Sequence, residues 1–293
     1  MEDLGSRYWG SFAICGLICA VMLYISRSNN KGATTASTEK NARFSAFQTN
    51  YLIVFVLAMF SDWLQGPYVY ELYVSYGFNQ QEIAELFVCG FGSSMIVGTF
   101  VGGLADKLGR KGMCITYCAC YIAACCTKMV PDYWTLMLGR FLSGVSTSLL
   151  FSVFESWMVC EHFKQGFDAS LLSDTFAYAT FGNGLGAVIA GLIANSAAEM
   201  YGFVAPFVVA ILPLSVVAFT VMTSWSENYG NQQMNMLSSL SKGFDLVRND
   251  SRIAALGFGQ ACFEGAMYTF VYIPPEERCS VLDHVLLPES TQR

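Results

Sequence analysis

The sequence predicts an all-α integral membrane protein, and three observations carry that prediction: scarce charge, long apolar runs, and tight grouping of the charges present. Charged residues are 13% of the 293-residue chain and apolar residues 54%, with a mean hydropathy of +0.44. Soluble domains carry roughly 25% charged residues, so this chain cannot cover a water-facing surface of its size. Between the charge groups lie apolar stretches of about 20 residues, the length of helix that crosses a hydrocarbon core of roughly 30 Å. The lipid bilayer is therefore the first expected partner. The formal charge of −6 points to no partner by itself, and no basic stripe argues for nucleic acid.

Taken in order, the predicted spans are 8–25, 49–70, 83–104, 113–131, 134–159, 175–195, 203–224 and 253–273. Residues 1–7 carry Glu2 and Asp3 with a single Arg, so span 8–25 reads as an uncleaved anchor helix, not a signal peptide with a basic leader. Residues 26–46 are rich in Ser, Thr, Asn and Lys and complete an N-terminal region 1–46 as an inner loop. Residues 47–224 then form a six-helix half, 225–252 a central cytoplasmic loop, 253–273 a seventh core helix and 274–293 a divergent polar tail.

Lys and Arg fix the orientation, because cytoplasmic loops collect them. With the N-terminus outside, one side holds Arg27, Lys31, Lys40, Arg43, Lys107, Arg110, Lys111, Lys164, Lys242, Arg248 and Arg252. The other holds only Arg7, Lys128, Arg278 and Arg293. Arg140 is left within a span. Most of the eleven cysteines, Cys114 and Cys118 among them, lie in apolar stretches without a His or carboxylate cluster, and read as small hydrophobes. Tyr133 and Trp134 read as interface anchors.

Between spans 83–104 and 113–131 the chain reads G-G-L-A-D-K-L-G-R-K, from Gly102 to Lys111. Gly109 permits a tight turn, Asp106 can accept from a helix N-terminus, and Arg110 and Lys111 hold the loop inside. This segment resembles the signature loop of the major facilitator superfamily, in its usual place between the second and third core helices. Leu136, Arg140, Ser143, Gly144 and Ser146 resemble that superfamily's fourth-helix pattern.

Three further segments resemble the molybdate-anion transporter subgroup: the run from Phe47 to Ala58, F-S-D-W-L-Q-G-P-Y-V-Y-E-L-Y from Phe60, and Gly139 to Trp157. The extra anchor helix ahead of the core belongs to the same likeness. The resemblance implies a major-facilitator-type N-terminal six-helix bundle with an extra anchor helix, and substrate held between two halves. It implies molybdate or a related oxyanion as substrate and the cell membrane as location. It stops after Tyr272, so the C-terminal half is expected to be incomplete. The alternatives are a non-transporting short form that self-associates or partners a full-length transporter, and a transporter of another small solute.

Ionisable residues inside a membrane are expensive and mark function. At about 1.5 Å per residue, Asp62 lies roughly 20 Å above the inner end of its span and Arg140 roughly 9 Å below the outer end of its own. These heights nearly coincide, so Asp62 and Arg140 are expected to pair in one cavity, either with Arg140 attracting the anion and Asp62 holding it when the site is empty, or as a permanent structural salt bridge between two helices. Gln65, Tyr68, Ser143 and Asn183 are candidate neutral ligands. Glu155, at the level of the loop, is expected with Glu161 as its alternate to latch onto Arg110. The gating set is thus Gly102, Asp106, Gly109, Arg110, Lys111 and Glu155. His162 and His284 form no triad or metal spacing, no nucleotide motif is present, and neither enzyme activity nor a cofactor is expected.

Overall fold

A computed structural model describes residues 38–230 and 236–272, all of them in helices, turns or connecting segments without a strand. The predicted anchor 8–25 and tail 274–293, with His284, lie outside the described residues. The chain divides into two compact units, Met1–Phe47 and Gln48–Arg293. The described part of the first is the opening of a helix. Everything below concerns the second.

The helices are α1 (Thr38–Gln65), a 3-10 turn (Gly66–Tyr68), α2 (Val69–Ser75), α3 (Gln80–Leu108) and α4 (Arg110–Thr127). There follow α5 (Tyr133–Leu150), α6 (Val153–Lys164), α7 (Ala169–Tyr201), α8 (Ala205–Ser224), α9 (Met236–Asn249) and α10 (Ser251–Tyr272). Residues 38–46, expected in a loop, are helical, and the expected loop 225–252 contains α9 and part of α10. Among the described residues, five helical stretches are long and apolar enough to cross a membrane: Ala42–Ser75, Gln80–Leu108, Tyr133–Lys164, Ala169–Tyr201 and Ala205–Ser224. The predicted spans 113–131 and 253–273 correspond to α4 and α10, which are less apolar. Arg110 and Lys111 dilute α4, and Arg252, Gln260 and Glu264 dilute α10.

Local chemistry starts the helices where the sequence changes character. Asn79 and Glu82 form a reciprocal capping box on α3, with bonds of 3.0 and 2.9 Å. The Asp132 carboxylate caps α5 by accepting from the Thr135 N–H at 2.9 Å. Those bonds hold its carboxyl below the usual aspartate range. Asp168 caps α7 through the Ser170 N–H at 2.8 Å.

Packing relies on small residues, which let helix backbones approach where lipid offers no hydrophobic drive. A β-carbon on Gly144 of α5 would run into the Ser93 hydroxyl and the Gly90 carbonyl of α3. Ser148 continues the seam by donating to the Ser94 carbonyl at 2.7 Å. One on Gly139 would strike Thr127 at the end of α4, and one on Gly182 of α7 would lie 2.6 Å from Val56 of α1. Large apolar side chains point outward, including Met95, Leu192, Leu212 and Phe219, as a lipid-facing surface requires. The long helix from Tyr133 is interrupted at Phe151 and Ser152, which form a turn before α6 resumes.

Candidate functional site

Two clusters sit at opposite ends of the bundle. The inner cluster is built on the loop between α3 and α4. Gly109 has φ +98° and ends α3, and a β-carbon there would lie 2.6 Å from the Glu227 carboxylate. A side chain would therefore be both strained and obstructed. Helix α4 opens with Arg110 and Lys111, two cations at the positive end of its dipole, and has no capping side chain of its own. Glu227 supplies what is missing. Its carboxylate accepts from the backbone N–H of Lys111 at 2.9 Å and of Gly112 at 3.1 Å.

The segment carrying Glu227 is fastened on every side. Trp225 stacks on Trp157 of α6 at 3.6 Å and 10°, and its Nε1 donates to Asn50 Oδ1 at 2.8 Å. Trp157 Nε1 donates to the Ser226 carbonyl at 2.8 Å. The Arg110 N–H donates to the Asn228 carbonyl at 3.0 Å, and the Gly230 N–H to the Asp106 carbonyl at 3.1 Å. Sequence reading placed these residues in a loop and missed their role. The available signal was the helix start itself: an uncapped N-terminus carrying two cations requires an acid from elsewhere.

Among the described residues the ion pairs are Arg110–Asp106 at 2.7 Å and Lys164–Glu161 at 3.4 Å. The expected latch therefore takes a different form. Arg110 is held by Asp106, one helical turn away, and Glu161 by Lys164. Glu155 is exposed and reaches no cation within 4 Å, although it lines with Arg110, Ser152, Ser156, Phe176 and Tyr229 one cavity of about 570 Å³. Lys111 extends its side chain to the Met222 carbonyl at 2.9 Å. Gly102 faces open space.

The outer cluster centres on Arg140. Its Nε donates to the Leu86 carbonyl at 3.3 Å, and its guanidinium lies over the Phe87 ring, 4.6 Å from the centroid. Gly90 makes the room, since a β-carbon there would lie 2.9 Å from an Arg140 terminal nitrogen. Asp62 does not pair with it. The Asp62 carboxylate instead accepts from the Tyr121 hydroxyl, beside Tyr117, whose hydroxyl donates to the Ala58 carbonyl at 3.2 Å.

Asn183 accepts from Trp63 Nε1 at 2.8 Å, Tyr68 donates to Asn195 at 3.1 Å, and buried Gln65 donates to the Ser61 carbonyl at 3.1 Å. These three thus make protein contacts across or along α1 and α7. Ser143 lies half-buried one turn beyond Arg140. Lys128, counted by sequence among the outer segments, is only 1% exposed. Its position inside the predicted 113–131 stretch was the one sign of this.

A bundle of apolar helices joined through the Gly102–Lys111 loop has the architecture of a major-facilitator half. Residues 7–281 match the major-facilitator family model described as sugar transporters with 12 transmembrane segments, and the chain belongs to that family. It is a multi-pass membrane protein. It is 38% identical over 266 residues to a molybdate-anion transporter of Xenopus tropicalis, covering 89% of this chain and 59% of that one. A molybdate-anion transporter of Danio rerio is 35% identical over 290 residues, covering 90% and 60%. The chain thus spans about three-fifths of the length of these relatives. Among solved structures it resembles a peptide transporter crystallised with sulfate, at a TM-score of 0.53 and 18% identity over 82% of this chain and 49% of the other. A POT family transporter, PepTSo, gives a TM-score of 0.54 at 12% identity over 64% and 40%. These two likenesses concern the fold.

Proposed function

We propose that this chain supplies the first six-helix half of a secondary transporter that takes up molybdate, with Arg140 as the residue that binds the oxyanion. The observation that carries this is an arginine inside a span with no carboxylate within ion-pairing distance among the described residues. Its one hydrogen bond there is from Nε, which leaves both terminal nitrogens to donate. An anion entering a low-dielectric region needs compensating charge and donors, and a planar guanidinium offers two parallel N–H groups to two oxygens. The names of the relatives from Xenopus tropicalis and Danio rerio support the same cargo. The inner brace of Glu227, Asp106 and Arg110 suits a gate that must open and reseal.

The family description favours a second reading, in which the cargo is a neutral sugar. Equilibrium binding of radiolabelled molybdate to the purified chain in nanodiscs separates the two. Tungstate should displace the label and sugars should not. Arg140→Lys, which loses the bidentate fork, should weaken binding about tenfold or more. Unchanged affinity in that variant, or displacement by a sugar, would sink the oxyanion reading.

A further inference from the structure

We propose that Lys128 and Arg140 together form a two-charge receptor that selects a divalent tetrahedral oxyanion over a monovalent one of the same shape. This rests on the reading of Arg140 as the oxyanion-binding residue and adds to it the charge of the cargo.

Lys128 caps the C-terminus of α4 and is buried, yet among the described residues no acid pairs with it. Its Nζ donates to the Tyr73 hydroxyl at 2.8 Å and lies 5.3 Å from the centre of the Tyr73 ring. Tyr73 in turn meets Phe87 edge to face, at 6.4 Å and 81°, and Phe87 carries the Arg140 guanidinium on its own face. One aromatic pair thus supports both cations. A β-carbon on Gly139 would lie 3.4 Å from Lys128 Nζ, so the ammonium reaches the backbone just ahead of Arg140.

Among the described residues no carboxylate lies within ion-pairing distance of Lys128. Two like charges held in a low-dielectric interior repel, and a counter-charge relieves them. An ammonium has three protons and a guanidinium five, of which the described residues take one each. The remainder can be spent on the oxygens of a dianion.

A structural role for the Lys128 side chain is not needed to join the helix ends. Tyr76 does that by donating to the Lys128 backbone carbonyl at 2.6 Å, a bond that any residue at 128 would keep.

The test is equilibrium binding of molybdate, a dianion, and perrhenate, a tetrahedral monoanion, to the full chain in nanodiscs. The wild-type chain should favour molybdate. Lys128→Gln should weaken molybdate by about tenfold or more while changing perrhenate by less than about threefold. Lys128→Arg should keep the preference. Lys128→Met is the second neutral variant, and removing a buried charge for an apolar chain of similar length should not hinder folding. If neutral variants weaken both anions equally, or neither, the two-charge receptor is overturned while the oxyanion reading stands. If the wild-type chain binds neither anion, both readings fall.

Discussion

The backbone N–H of Lys111 donates to Glu227 across the inner face, at 2.9 Å, and closes the α3–α4 loop with a residue from beyond α8. The pair performs the work of an N-cap with a carboxylate borrowed from a distant part of the chain. Glu227→Ala should lower stability by about 1–2 kcal/mol, in the range of lost caps. Glu227→Gln, which keeps an acceptor oxygen, should lose less. Thermal unfolding of the detergent-solubilised protein reads both, and an Ala variant melting with the wild type would remove Glu227 from this role.

The same segment depends on Trp225, which is 3% exposed and sandwiched against Trp157. Truncating a buried aromatic typically costs about 3–5 kcal/mol. Trp225→Ala should therefore destabilise more than Glu227→Ala, and Trp225→Phe should recover part of the loss. The reverse ranking in unfolding experiments would show that the carboxylate, not the stack, anchors the segment.

Glycines 144 and 90 face the same helix seam but should respond differently. Gly144→Val drives a branched side chain into the Gly90 carbonyl and should leave no monodisperse protein after solubilisation. Gly90→Ala meets only the movable end of Arg140, so it should cost less than about 2 kcal/mol. It should still push the guanidinium off Phe87 and weaken molybdate binding. Normal binding in Gly90→Ala would mean that the position of Arg140 over the ring is immaterial.

Asp62 gives the sharpest contrast with the pairing expected from helix depths. Because its carboxylate is engaged by Tyr121, Asp62→Asn should change oxyanion affinity by less than about threefold. An ion pair with Arg140 in the empty protein would compete with the anion, and its removal would then tighten binding about tenfold. Titration of the Asp62→Asn variant with molybdate distinguishes these outcomes.

The bundle was largely legible because hydrophobic length and charge grouping are properties of single segments. Helices near 49–70, 83–104, 134–159, 175–195 and 203–224 follow from that arithmetic alone. The Gly102–Lys111 turn was legible for a similar reason, since Gly109 and the adjacent cations announce it locally. Partner choice was not. Depth places Asp62 and Arg140 at one height but carries no azimuth, and the Asp62 carboxylate is taken by the Tyr121 hydroxyl. The burial of Lys128 was not legible because a position near a span end fixes its distance from water only to within a turn. Glu227 was missed because its partner lies more than a hundred residues away, and only the uncapped start of α4 hinted at the need for it.

The interruption at Phe151 and Ser152 divides the helix that carries Arg140 into two pieces with separate attachments. The outer piece is locked to α3 through Gly144 and Ser148, and the inner piece to Trp225 and Ser226 through Trp157. An articulated rod of this kind can swing at its lower end while its upper end stays still. On the proposed reading of Arg140, capture of the anion and opening of the inner face would be separable events along a single helix.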